Sequence, residues 1–166
     1  MKIKVTNLPS GIHDFRFKKS VTELKLGQPF IDNFILDVVL DKSLKQIVLN
    51  CNLTFFLELS CDRCLSEYKK EITTNFILLY VFDKKDFDQD EMNIKFLSPT
   101  QDKINLVEDV IEYAELSIPL KQLCKEDCRG LCHKCGTNLN ENKCDCTNEE
   151  INPVWESLLK IKSKLN

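Results

Sequence analysis

Glycine and histidine are scarce in this chain. It has four glycines (Gly11, Gly27, Gly130 and Gly136) and two histidines (His13 and His133) in 166 residues. Glycines so scattered form neither a P-loop nor a G-x-G-x-x-G turn, which excludes those modes of nucleotide binding. Neither histidine belongs to a recognisable serine or cysteine nucleophile arrangement, so nucleophilic catalysis has no candidate. The acidic residues are scattered and offer no evident general acid–base pair. No run of eighteen apolar residues occurs, so no transmembrane helix is expected. The first residues, MKIKVTNLPSG, lack the apolar region and small-residue cleavage site of a signal peptide. A strong excess of one charge is missing too. The formal net charge is −3 and the pI about 5.5, which argues against a generic electrostatic grip on nucleic acid. A nucleic-acid partner would have to be met by a local basic patch.

Cysteine, by contrast, is abundant. Six of the nine cysteines fall between Leu123 and Cys146 as C-x3-C-x3-C-x2-C-x8-C-x-C, at Cys124, Cys128, Cys132, Cys135, Cys144 and Cys146. Another pair, Cys61 and Cys64, lies about sixty residues upstream in SCDRCL. With no export signal the expected location is the cytoplasm, where clustered cysteines are metal ligands or free thiols rather than disulfides.

The remainder reads as a globular α+β chain. An apolar fraction of 43% and a charged fraction of 30% exclude a disordered one, and ten phenylalanines supply a core. Phe30, Phe34, Leu36, Val38 and Leu40 share one parity, as in a half-buried strand. The cleanest alternation places Ile47, Leu49, Cys51, Leu53, Phe55, Leu57 and Leu59 on one face, which makes Cys51 a buried structural thiol. A further alternating run, from Ile72 to Phe82, makes SCDRCLSEYKK the link of an antiparallel hairpin. Asp83–Glu91 is a charged connection. The period then changes: Leu106, Val107, Val110, Ile111 and Ala114 lie on one helical face, Asn105 with Glu108 suits an N-terminal cap, and Pro119 closes the helix. Asn152-Pro153 opens a last amphipathic helix with Trp155, Leu158, Leu159 and Ile161. The expected architecture is an antiparallel β-sheet or open barrel with one packed helix and a C-terminal cysteine-rich zinc-binding tail ending in a short helix. Its parts are a β-rich core over 1–119 with the helix at about 105–117, a cysteine segment over 120–148 and a helix over 149–166, together one compact unit.

Two cysteines separated by two residues grip one ion while the backbone between them turns, and zinc takes four such ligands in a tetrahedron. Gly136, after Cys135, permits the tight turn of such a knuckle. Cys132, Cys135, Cys144 and Cys146 then make one compact four-thiolate site. Cys61, Cys64, Cys124 and Cys128 make a second that ties the hairpin loop to the segment after the helix. The alternatives are a single site of Cys61, Cys64, Cys132 and Cys135, or an iron–sulfur cluster. All-thiolate sites are structural, which points to a scaffold and not an enzyme. A thiol–disulfide oxidoreductase is the enzymatic rival, but that chemistry usually places its first cysteine at a helix N-terminus, and Cys61 lies between two strands. His133 is read as an exposed side chain inside its knuckle, and His13 is given no role. Arg63 and Arg129, each beside a pair, are placed against thiolate charge, phosphate or solvent.

Several stretches together resemble the YceD family, bacterial proteins with plastid relatives. Ser60–Leu65 resembles the family's C-x-R-C-L signature. Leu123–Cys146 resembles its LC-x3-C-K/R-G-LCPxCG-TNLN-x3-C-x-C tail, and Asn152-Pro-Val-Trp-Glu156 with Leu158 and Leu159 resembles its closing DPRWxxL helix. His133 stands where the family usually has proline, and Asn152 and Val154 replace the aspartate and arginine of DPR. The resemblance implies a non-enzymatic ribosome-biogenesis factor supporting accumulation of large-subunit (23S) rRNA. The implied partners are a large-subunit precursor, rRNA or a ribosomal protein, with neither a membrane nor a small-molecule substrate. A zinc-ribbon adaptor for a protein unrelated to the ribosome is the alternative.

Overall fold

The strongest alternation in the sequence becomes the centre of the sheet. In the computed structural model, which describes residues 1–83, 93–98 and 100–146, seven strands and one helix follow in chain order. They are β1 (Lys2–Lys4), β2 (Gly11–Ser20), β3 (Phe30–Lys42), β4 (Gln46–Ser60), β5 (Glu67–Val81), β6 (Ile94–Phe96), β7 (Lys103–Asn105) and α1 (Val107–Leu116). A five-stranded open sheet has the order β2-β3-β4-β5-β6, and β1 pairs with β7 in a separate two-stranded ribbon. Residues 84–92, the greater part of the expected charged connection, and the expected helix over 149–166 lie outside the described residues.

β4 runs through the middle because its whole odd-numbered face is apolar. Ile47, Leu49, Leu53, Phe55 and Leu57 are fully buried, and Cys51 and Leu59 nearly so. Each such side chain contributes roughly 1.5–3 kcal/mol on burial. Phe34 and Phe55 stack at 5.2 Å between ring centroids, with Phe30 against both. β3 keeps its parity across an irregularity between Ile31 and Ile35, where Asp32 takes φ +61°. Four steps along β3 there match two along β4, so Phe30 and Phe34 face the same core as Leu36. Cys51 is the buried thiol expected, and burial first, then the Asp109 charge, pushes its pKa up to about 12.

Three details depart from the expectation. β5 begins at Glu67, not Ile72: its polar first turns pair with Leu57–Ser60 and extend the hairpin to its tip. β6 runs parallel to β5, so the sheet is mixed at that edge. Asn105 does not cap the helix. It is taken by the β7 ladder opposite Lys2, the N-cap is Leu106, and no side chain caps it. α1 instead packs through Val110 and Ala114, through Tyr113 stacked on Phe76 at 4.0 Å, and through buried Asp109 paired with Lys95 of β6. The described cysteine segment then returns to the far end of the β4–β5 hairpin.

Candidate metal centres

The first knuckle is the tip of that hairpin. Between Ser60 and Glu67 the chain turns through Cys61–Ser66, with Cys61 N–H donating to Ser66 O (3.0 Å) and Leu65 N–H to Cys61 O (2.9 Å). Leu65 sits at φ +60°, a left-handed conformation that L-residues with a Cβ adopt only at a cost. Cys61 Sγ accepts amide hydrogen bonds from Cys124, Cys64 and Arg63. The Ser66 hydroxyl and amide serve Cys64 Sγ, with Ser66 Oγ at 3.4 Å.

The second knuckle repeats this pattern. Cys132 N–H donates to Thr137 O (2.9 Å) and Gly136 N–H to Cys132 O (2.9 Å). Gly136, at φ +72°, occupies the position of Leu65. Cys132 Sγ accepts from the amides of Cys135 and Lys134, and Thr137 Oγ1 lies 3.1 Å from Cys135 Sγ. The shared unit is C-x-x-C-x-S/T. Its hydroxyl is a functional position that the cysteine spacing alone did not reveal, although its signal was present as Ser66 and Thr137, each two residues past a pair.

The fold brings the eight cysteines into two groups of four. Cys61, Cys64, Cys124 and Cys128 form one, and Cys132, Cys135, Cys144 and Cys146 the other, with all sulfurs in a group within 4.8 Å of one another. In the first group Cys61 Sγ lies 3.7 Å from Cys128 Sγ and Cys64 Sγ 3.6 Å from Cys124 Sγ. These are not disulfide distances. A tetrahedron of ~2.3 Å metal–sulfur bonds places its sulfurs about 3.8 Å apart, so the donor set fits one four-coordinate ion. The combination of Cys61 and Cys64 with Cys132 and Cys135 does not occur in this arrangement.

The electrostatics agree with a cation's place. Amide donors, that of Cys124 foremost, bring the Cys61 thiol down to about 6, and the Thr137 hydroxyl does the same for Cys135. Their partners move the other way. Burial is the main reason Cys124 is pushed up to about 12, and hydrogen bonding to Cys135 holds Cys146 at about 12. Sulfurs this close cannot all ionise on their own, because like charges raise one another's pKa. Each group shares protons that a metal ion would replace.

The two groups are also joined to each other. Arg63 O accepts from Leu131 N–H (3.0 Å), and the Arg63 guanidinium donates to Cys128 O at 2.7 Å. Arg63, although exposed, is thus a link between the knuckles, and Arg129 is exposed as well. Gly130, at φ +77°, lets the chains meet: a Cβ there would stand 3.0 Å from Arg63 O. Asn140 Nδ2 reaches Cys128 Sγ (3.3 Å), its Oδ1 accepts from Arg129 N–H (2.9 Å), and Asn138 Nδ2 approaches Ser66 Oγ (3.4 Å). The asparagines of the Thr137–Asn140 stretch therefore serve the first group from within the second. His133 is exposed, and His13 Nε2 lies 3.0 Å from Pro9 O. Neither cysteine pair lies at the start of α1, so neither has the helix-dipole activation of a redox motif.

Among the described residues the fold is a mixed sheet with one helix, carrying two four-cysteine groups that can each hold a metal ion. The sequence profile described as Large ribosomal RNA subunit accumulation protein YceD matches residues 49–162, well over half of the chain. The chain belongs to the YceD family. It is 29% identical over 177 residues to the Large ribosomal RNA subunit accumulation protein YCED homolog 1, chloroplastic, of Arabidopsis thaliana, covering 90% of this chain and 54% of that protein. An uncharacterized protein of Mycobacterium tuberculosis is 26% identical over 101 residues, 61% of this chain and 48% of its own length. One from Mycobacterium leprae is 26% identical over 100 residues, 59% of this chain and 45% of its own. The chain spans about half the length of the curated relatives it matches. No solved structure matches it. The family is named for an accumulation role and not for a catalysed reaction. No helix among the described residues is long and apolar enough to cross a membrane.

Proposed function

We propose that this protein is a non-enzymatic ribosome-biogenesis factor that supports the accumulation of large-subunit rRNA in the cytoplasm. In this reading two structural zinc ions hold it in shape, one bound by Cys61, Cys64, Cys124 and Cys128 and the other by Cys132, Cys135, Cys144 and Cys146. Its partner is a large-subunit precursor, through rRNA or a ribosomal protein. Family membership supports the ribosomal role. The observation that carries the scaffold role is the donor set: among the described residues each group consists of four thiols, with no histidine or carboxylate, the donor set of structural sites rather than of open catalytic ones. Sulfurs all within 4.8 Å of one another suit a single ion better than a cluster of several irons, which would spread them further. Depletion should lower large-subunit rRNA relative to small-subunit rRNA, read from total RNA; an unchanged ratio rejects the function. Native mass spectrometry of the purified chain should find two zinc ions, and a metal-free protein with a native spectrum would reject the scaffold.

A further inference from the structure

The acidic balance of the chain is not evenly spread. Beside the first cysteine group lies an open cleft of about 390 Å³ whose walls carry Lys69, Lys70, Lys121 and Lys125, with Tyr68 and Leu123 as its apolar lining. Cys124 reaches it, and Glu126 is its one acid. Four exposed cations against one anion is the local basic patch that an RNA partner requires of a chain with net charge −3. The lysines come from two places: Lys69 and Lys70 from the start of β5, Lys121 and Lys125 from the segment that crosses it. The contact between Asp62 and Gln122 holds that segment against the hairpin: Asp62 N–H donates to Gln122 O at 2.7 Å, and Gln122 N–H to Asp62 Oδ2 at 2.7 Å. The cleft therefore exists only when the segment is docked.

We propose that this cleft is the protein's RNA-binding surface and that it grips the phosphate backbone without reading base sequence. The inference rests on the ribosomal reading above and assigns it a surface. Among the described residues none of the four lysines is spent on an ion pair. Among the described residues none is hydrogen-bonded to a sulfur of the first group, whose partners are backbone amides, the Ser66 hydroxyl and the Asn140 amide. All four cations are ammonium groups, which act on phosphate as point charges. The planar forks that recognise carboxylates or guanine in a bidentate way are missing from the cleft. Tyr68 packs against the first cysteine group, and its hydroxyl is buried there without a hydrogen-bond partner among the described residues.

The test is a fluorescence-anisotropy titration of the full chain with labelled transcripts tiling the large-subunit rRNA, at salt concentrations between about 50 and 200 mM. Three lysines contacting a single-stranded backbone contribute about 2 to the slope of log K against log salt. A Lys70→Gln/Lys121→Gln/Lys125→Gln variant should lose that slope and bind at least about tenfold more weakly at the middle of the range. The corresponding triple arginine variant should retain binding. A control with the same charge change elsewhere, Lys2→Gln/Lys4→Gln/Lys18→Gln, should stay within about twofold of the parent. Equal losses in both glutamine triples would reduce the effect to net charge and overturn the proposal. So would polyglutamate competing as well as RNA, which would make the partner an acidic protein segment. A loss of bound zinc with RNA affinity intact would assign the lysines to balancing the thiolates and overturn it as well. In depleted cells the parent gene should restore the rRNA ratio and the glutamine triple should not. Restoration by both sinks the cleft and leaves the function standing, whereas a ratio insensitive to depletion sinks the function whatever the titration shows.

Discussion

In Cys61–Ser66 the residue after the second cysteine is Leu65 at φ +60°; in Cys132–Thr137 it is Gly136 at φ +72°. The two loops otherwise share their backbone hydrogen bonds, their amide-to-sulfur bonds and the hydroxyl that serves the second sulfur. What differs is where each finds its remaining two sulfurs. The first reaches Cys124 and Cys128, more than fifty residues along the chain, and three of its four cysteines are buried. The second closes on Cys144 and Cys146, only nine to eleven residues beyond Cys135, and Cys135 is exposed. One local geometry thus serves two purposes: a long-range clasp and a short ribbon. Because closure entropy grows as the logarithm of loop length, the clasp constrains the unfolded chain more, by ~1.5–2 kcal/mol for a loop of sixty residues against one of nine.

That contrast can be broken most severely at the sulfurs. Cys64→Ser and Cys135→Ser should each lower the metal count by one in native mass spectrometry. Only the first should also release residues 120–131 from the hairpin, read as faster amide exchange there. Equal exchange in the two variants would remove the distinction between clasp and ribbon. Gly130→Ala comes next. It places a Cβ 3.0 Å from the backbone at Arg63, at a φ of +77°, and should cost about 2–3 kcal/mol by denaturant unfolding. Arg63→Ala removes the donor to Cys128 O and should cost about 1–3 kcal/mol, with Arg63→Lys recovering only part of it because the planar guanidinium is lost. The smallest effects separate the knuckles at their shared left-handed position. Leu65→Gly should stabilise by about 1 kcal/mol and Gly136→Leu should destabilise by about 1–2 kcal/mol. Changes of the same sign at both positions would mean that the loops are not equivalent.

The sequence made the β4 face plain because every second residue from Ile47 to Leu59 is apolar and every one of them is buried. The division of cysteines into two fours was one of several readings. Spacing shows that Cys144 and Cys146 can return to Cys135, but no spacing says which pairs meet across a gap of sixty residues. The fold supplies that, through the crossing at Asp62 and Gln122. Other features had no local signature. Glu67–Lys70 hides the start of β5 because its partners on β4, not its own side chains, hold it in the ladder. Asn105 resembled a cap until β1 claimed it. Arg63 was open to thiolate charge, phosphate or solvent, and the fold gives its guanidinium the Cys128 carbonyl instead.

The length of the β4–β5 hairpin has a consequence for the order in which the molecule is made. Fifteen residues on each side pair across the short Cys61–Ser66 turn, so this ribbon can form once Val81 has left the translating ribosome. At that moment Cys61 and Cys64 are already set at its tip, with Leu65 turned and Ser66 in place, while Cys124 and Cys128 are not yet synthesised. The newborn chain therefore presents half of the first cysteine group for the time taken to add the residues from 82 to 128, a few seconds at about 5–20 residues per second. Closure of Cys124 and Cys128 onto Cys61 and Cys64 is therefore the late step, and it joins the two ends of a stretch made in separate moments.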